Sequence, residues 1–271
     1  MPPLPAPPGT ARLRSMQRRY PDRTLRPNGL TWRIRDSGGN GTPLLLFPGG
    51  LGNADIYYNQ MLDLTPDIRC ICVDYPDTDF DVTADSLAAL LDALALDRAC
   101  MLGSSLAGYC LQVFGARHPE RVDAMILANS FYNSTELSAH PLFDRSLLES
   151  VSGEELKTDW LNRLEMREAD ELREVQITIL REGQTGELLR RRLLAAATAP
   201  EAPIILHGLF PLFIIDCADD PLLPAATRNA LAERYPDAPR FTLPSGGHYP
   251  SVTQSHVYNR VILKAVPHGL A

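Results

Sequence analysis

Short apolar runs alternate with stretches of helical periodicity along most of the chain. Residues 31–36 alternate apolar and polar side chains, as a half-exposed strand does, and Pro27, Asn28 and Gly29 before them signal a hairpin turn. Leu44–Phe47 is a continuous apolar run, expected of a strand covered on both faces; Arg69–Asp74, rich in Ile, Val and Cys, reads as a second strand, Ala99–Leu102 as a short one and Val122–Ala128 as another buried one. Between them, Leu87, Leu90, Leu91 and Leu94 recur at helical spacing within Thr83–Leu96. A second helix is predicted over Leu106–Arg117, ending before Pro119. From Ser134 to Pro203 the alternation gives way to charged helical pattern. It resumes with a strand at Leu212–Asp216, a helix at Ala225–Arg234, a strand at Arg240–Leu243 and a closing helix over Ser251–Lys264. Strand–helix alternation implies an α/β fold, a mostly parallel sheet flanked by helices, with right-handed crossovers. The helical stretch reads as a cap inserted after the strand ending near residue 128. The expected organisation is a tail over 1–20, a core over 21–133 and 204–271, and the cap over 134–203.

The most informative local pattern is Gly103-Ser104-Ser105-Leu106-Ala107, between a predicted strand and a predicted helix. A nucleophile on a tight strand-to-helix turn needs small residues two before and two after it. Ser105 finds Gly103 and Ala107 there, whereas Ser104 would find Leu102 and Leu106. Sterics therefore select Ser105. A serine hydroxyl needs a base to accept its proton. Of the six histidines, His248 lies in Ser245-Gly246-Gly247-His248-Tyr249-Pro250, a flexible loop directly after the last strand. His118 reads as a helix-end residue, His140 and His207 lie in or beside the cap, and His256 and His268 belong to the closing helix and tail. A carboxylate should orient the base, and it should fall between serine and histidine in sequence. Asp219 and Asp220 follow the strand at 212–216; Asp220, four residues before Pro224, is preferred, with Asp219 as the alternative acid. Donors for an oxyanion are expected from the backbone N–H of Leu106 and of Gly50, in Pro48-Gly49-Gly50-Leu51-Gly52. That loop has neither the Lys-Ser/Thr of a phosphate loop nor a dinucleotide fingerprint.

Composition narrows the function classes. Lys and Arg total 26 against 33 Asp and Glu, a net charge of −7, which argues against a nucleic-acid binder held by phosphate contacts. No apolar run approaches the roughly 20 residues of a membrane span. Five cysteines, an odd number, point to a reducing compartment and a cytoplasmic location. Cys70 and Cys72 have no partners at zinc-site spacing, so no metal and no cofactor are expected. The prolines crowding residues 2–8, followed by Arg12, Arg14, Arg18 and Arg19, read as a solvated polyproline-like tail, and the tail or the cap could meet a protein partner. Arg190, Arg191 and Arg192 read as a solvated helix face. Tyr57, Phe131, Leu142 and Trp160 are candidates for a pocket wall or for core.

Together these segments resemble the α/β-hydrolase superfamily from about residue 22 onward. The order Ser105, Asp220, His248 is the superfamily's order. Residues 52–60, Val73-Asp74-Tyr75-Pro76, residues 126–131 and residues 245–250 resemble its maspardin-like branch. One departure is Pro48, where the superfamily usually carries a histidine before glycine. The resemblance implies an α/β-hydrolase fold and a serine hydrolase cleaving a small ester or thioester-like acyl substrate. The alternative it implies is a non-catalytic, maspardin-like binding protein with a vestigial site.

Overall fold

The computed structural model describes residues 10–65, 68–135, 137 and 140–267. One eight-stranded sheet runs through it in the order β1-β2-β4-β3-β5-β6-β7-β8. β1 (Arg23–Leu25) and β2 (Trp32–Asp36) form the expected hairpin, and β2 pairs antiparallel with β4 (Ile68–Asp74). From β4 onward, through β3 (Thr42–Phe47), β5 (Ala99–Ser104), β6 (Val122–Ala128), β7 (Leu212–Cys217) and β8 (Arg240–Leu243), every pairing is parallel.

The continuous apolar runs follow from the two-faced burial of these strands. Successive side chains point to opposite faces. Leu45, Phe47, Ile71, Val73, Met101 and Leu127 enter the core under α3 (Phe80–Ala93) and α4 (Leu106–Arg117). Leu44, Leu46, Cys70, Cys72, Cys100 and Leu102 enter the opposite core. That second core is covered by α1 (Ala11–Arg19), α2 (Tyr58–Asp63) and, late in the chain, by α10 (Pro250–Thr253) and α11 (Ser255–Ala265). Cysteines thus serve as small core hydrophobes, and burial raises the thiols of Cys70 and Cys100 to about 12.

Between β6 and β7 come α5 (Arg145–Ser150), α6 (Gly153–Glu165), α7 (Glu171–Gly183) and α8 (Gly186–Ala197), while α9 (Ala225–Arg234) joins β7 to β8. The inserted helices start on side-chain caps: Asp144, Asp170 and Thr185 each accept from a first-turn N–H, and Ser152 with Glu155 forms a capping box. The two ends of the insertion are tied together where Ser134 N–H donates to Ala199 and Ala202 N–H donates to Tyr132.

The structure corrects the reading of residues 1–20 as a solvated tail; residues 1–9 lie outside the described residues. Residues 11–19 are helix α1, with Leu13 and Met16 fully buried against α2. Two of its four arginines are ion-paired: Arg12 with Asp63, besides Asn59, and Arg14 with Glu182 on α7. A helix with two apolar anchors is too short to be stable alone, so distant partners decide it. The closing helix is also broken, at Gln254, into α10 and α11. Among the described residues no helix is long and apolar enough to cross a membrane.

Candidate active site

β5 delivers the chain into a backbone conformation that L-residues rarely adopt. Ser105 sits at φ 53° and ψ −122° directly before α4. Holding a non-glycine residue there costs of order 1–3 kcal/mol, and the surroundings over-determine it. Ser105 N–H donates to Ala128 O at 2.9 Å, and the Ser105 carbonyl accepts from Ser130 Oγ at 2.8 Å and from Tyr109 N–H at 3.2 Å. A Cβ at Gly103 would come within 2.7 Å of the Ala107 backbone, so the small-residue rule that selected Ser105 has a direct steric cause. Leu106 is the first residue of α4, where an N–H has no acceptor within the helix.

β3 ends beside β5, and the loop after it passes over the elbow. A Cβ on Gly49 would lie 2.9 Å from Ser105 Cβ, so only glycine allows this approach. The loop is gripped from three sides. Tyr57 hydroxyl donates to Phe47 O at 2.8 Å and shares a 2.8 Å hydrogen bond with Ser104 Oγ, tying the ends of β3 and β5 together. Gln184 Nε2 donates to Gly50 O at 2.9 Å, and Arg192 Nη1 donates to Gly52 O at 2.9 Å.

His248 follows β8, and Asp220 follows β7. His248 Nδ1 lies 2.9 Å from Asp220 Oδ2 and 3.1 Å from Oδ1. Asp220 also accepts from Asn129 Nδ2 at 2.7 Å and from Leu222 N–H at 2.8 Å. Burial alone would raise this carboxyl, but the charge and hydrogen bond of His248, with the Asn129 and Leu222 donors, hold it at about 2. Asp219 does something else: its carboxylate accepts from the N–H groups of Gly246 and Gly247 and so braces the histidine loop. Asp216 remains on β7, ion-paired with Arg240.

Ser105, Leu106, Gly50 and His248 line one inner cavity of about 30 Å³, room for a water or two. Ser105 and His248 make no direct hydrogen bond; such contacts often tighten only with substrate bound. An outer cavity of about 550 Å³ lies between α6, α7 and the histidine loop. It shares Leu51, Leu222, His248 and Tyr249 with the inner one, so the imidazole stands between the two.

The comparisons agree with this architecture. The family described as the alpha/beta hydrolase fold matches residues 42–159. The chain has the α/β-hydrolase fold. It is 28% identical to human maspardin over 240 residues, 84% of this chain and 76% of that protein. It is 24% identical to a putative carbamate hydrolase, RutD, of Caulobacter sp. (strain K31), over 87% of this chain and 95% of that one. Among solved structures it resembles a thermophilic esterase from Thermogutta terrifontis, with a TM-score of 0.72 at 20% identity, covering 90% of this chain and 97% of the esterase.

The other candidates of the sequence are dispersed. His118 pairs with Asp85 at the end of α4, and exposed His207 pairs with Asp237. His256 is exposed on α11, and His268 lies outside the described residues. His140 is nearer: burial lowers its pKa, the charge of Asp220 opposes this, and that of His248 reinforces it. Tyr57 lines the inner cavity and Trp160 the outer one, Phe131 is core stacked on Tyr109, and Leu142 is packed at the edge of that core. No cluster of His, Cys, Asp and Glu able to hold a metal occurs among the described residues.

Sequence reasoning missed Asn129, which reaches Asp220 from a left-handed backbone position (φ 43°) after β6. Its signal was an Asn directly after a buried strand. It also misread Arg192. Arg190 pairs with Glu187 and Arg191 with Asp77, but Arg192 is 3% exposed and faces the core beneath α8. Three successive arginines occupy different faces of one helix, and only one of those faces is buried.

Proposed function

We propose that the chain is a serine hydrolase that cleaves a small ester or thioester-like carbonyl substrate through an acyl-enzyme. The observation that carries this is the strained Ser105 elbow opening on the same cavity as the His248–Asp220 pair. Ser105 Oγ attacks the carbonyl carbon while His248 Nε2 takes its proton. Asp220, already ionised and bonded to Nδ1, fixes the tautomer that leaves Nε2 free and then stabilises the imidazolium. The N–H groups of Gly50 and Leu106 stabilise the tetrahedral oxyanion. His248 returns the proton to the leaving group, and water repeats the sequence on the acyl-enzyme. The inserted helices form a cap that closes the acyl end of the site. The hydrolase names of the RutD and esterase relatives support this class of chemistry, and a carbamate is a carbonyl substrate of the same kind.

A fluorophosphonate probe tests the reading. It should label the wild type at Ser105 and leave Ser105→Ala unlabelled, and the variant should lose about a thousandfold or more in hydrolysis of p-nitrophenyl acetate. Absence of labelling and turnover in folded wild type would overturn the proposal in favour of the maspardin-like binding module.

A further inference from the structure

Buried cations are normally matched by carboxylates, because desolvation of a full charge is costly. The other interior arginines follow that rule: Arg35 meets Asp55 at 2.6 Å, and Arg228 and Arg240 face Asp216. Arg192 does not. Among the described residues no carboxylate is within ion-pair distance of it, and its partners are neutral. Nη1 donates to Gly52 O, Nη2 donates to Tyr75 O at 3.3 Å, and the guanidinium lies 4.3 Å from the centroid of the Tyr75 ring. These acceptors hold the group in place without neutralising it. Nε is buried with no hydrogen-bond partner.

The position of this unmatched charge is what gives it meaning. Arg192 lines the inner cavity, and among the described residues it is the one arginine or lysine of that lining. The rest is glycine, aliphatic, aromatic and hydroxyl surface, together with His248. The acidic groups of the outer cavity are already engaged, Asp219 with the histidine loop and Asp170 as the cap of α7. A low-dielectric cavity whose lining includes Ser105 and a residue with an uncompensated cation favours a ligand that brings its own negative charge.

We infer that Arg192 is a specificity-determining residue that selects acyl substrates bearing a carboxylate on a short acyl chain. This rests on the serine-hydrolase reading above. In the bound substrate the carbonyl carbon meets Ser105, and the carboxylate lies against the Arg192 guanidinium as a charge-assisted hydrogen-bond acceptor. The inner cavity is small, so the acyl part is short and the leaving group extends toward the outer cavity.

The test compares monomethyl succinate with methyl 4-methylpentanoate, whose terminal isopropyl group has the shape of the carboxylate without its charge. Wild type should favour the charged ester in kcat/KM by about ten- to a hundredfold, the range of one hydrogen bond to a charged group. Arg192→Met should collapse that ratio toward unity, whatever happens to the two rates in common, and Arg192→Lys should restore part of it. If Arg192 only braces the Gly52 loop, both rates fall together and the ratio holds, which overturns the inference. A wild-type preference for the neutral ester overturns it without any variant. Titration of Ser105→Ala with monomethyl succinate by calorimetry separates the two proposals. Binding that weakens at least about tenfold when Arg192→Met is added supports the subsite even if wild type hydrolyses neither ester. Hydrolysis of both esters without charge preference defeats the subsite and leaves the hydrolase standing.

Discussion

Replacing Asp220 by Asn removes one charge at the point where the structure has concentrated its donors. The carboxylate receives His248 Nδ1, Asn129 Nδ2, Leu222 N–H and Leu223 N–H, and it is 8% exposed. Holding the carboxyl at about 2 rather than 3.8 corresponds to about 2 kcal/mol of favourable coupling in the folded state. The folded value lies below the unfolded one, so this stabilisation is present above about pH 4 and is lost as the pH falls toward 2. An Asn side chain has no such dependence. The gap in unfolding free energy between wild type and Asp220→Asn should therefore narrow by about 2 kcal/mol between pH 6 and pH 2, read from urea denaturation. The amide also turns a donor toward either His248 or Asn129 Nδ2, leaving a buried donor without an acceptor, a further cost of about 1–3 kcal/mol at every pH.

The effect on rate is larger than the effect on stability. Without the carboxylate, His248 loses the partner that fixes its tautomer and stabilises its cation. Turnover of p-nitrophenyl acetate by folded Asp220→Asn should fall by about a thousandfold or more. Asp219→Ala is the control, because it loosens the histidine loop without touching the imidazole, and its loss should be about tenfold at most. Equal losses in the two variants, or Asp220→Asn within about tenfold of wild type while Ser105→Ala is inactive, would refute the assignment of Asp220.

Two other expectations come from packing. Leu193 on α8 is buried and lines the inner cavity of about 30 Å³, so wild type should lose activity steeply on p-nitrophenyl esters beyond about four acyl carbons, and Leu193→Ala should move that limit to longer chains. Leu13 on α1 has no exposed surface, so Leu13→Ala should cost about 2–5 kcal/mol in denaturant unfolding, whereas a solvated tail would show no change.

The legible parts of the sequence are those decided locally. Strands buried on both faces are mostly apolar runs, so β3 to β7 announce themselves, and α4 falls on Leu106–Arg117 as its periodicity predicts. The elbow is legible because its constraint is steric and spans five residues. The illegible parts depend on distant partners. Arg35 reads as the outward side of a half-exposed strand, yet Asp55 and the carbonyl of Tyr20 bury it. The helix at 11–19 exists because α2 and α7 complete it with Met61, Asp63 and Glu182. Arg192 reads as one member of a surface run until α8 is seen to lie over the Gly50 loop. In Arg35 and Arg192 an arginine marks solvent in one dimension and a buried contact in three.

That asymmetry bears on how the site divides its labour. Ser105, Asp220 and His248 stand at the ends of β5, β7 and β8, strands of one sheet whose register is fixed by backbone pairing. Their relative positions are a property of the core, which is why one chain segment after another could be assigned from pattern. The inserted helices contribute no member of the proposed triad. They contribute Gln184 and Arg192, which hold the carbonyls of Gly50 and Gly52, and the apolar wall that limits the cavity. Changes in the core should act on the rate for every substrate alike, and changes on α8 should act on the ratio between substrates. On the proposed reading, the chemistry is encoded where the sequence is most readable, and the selectivity in a helical segment whose meaning depends on which face it lays against the core.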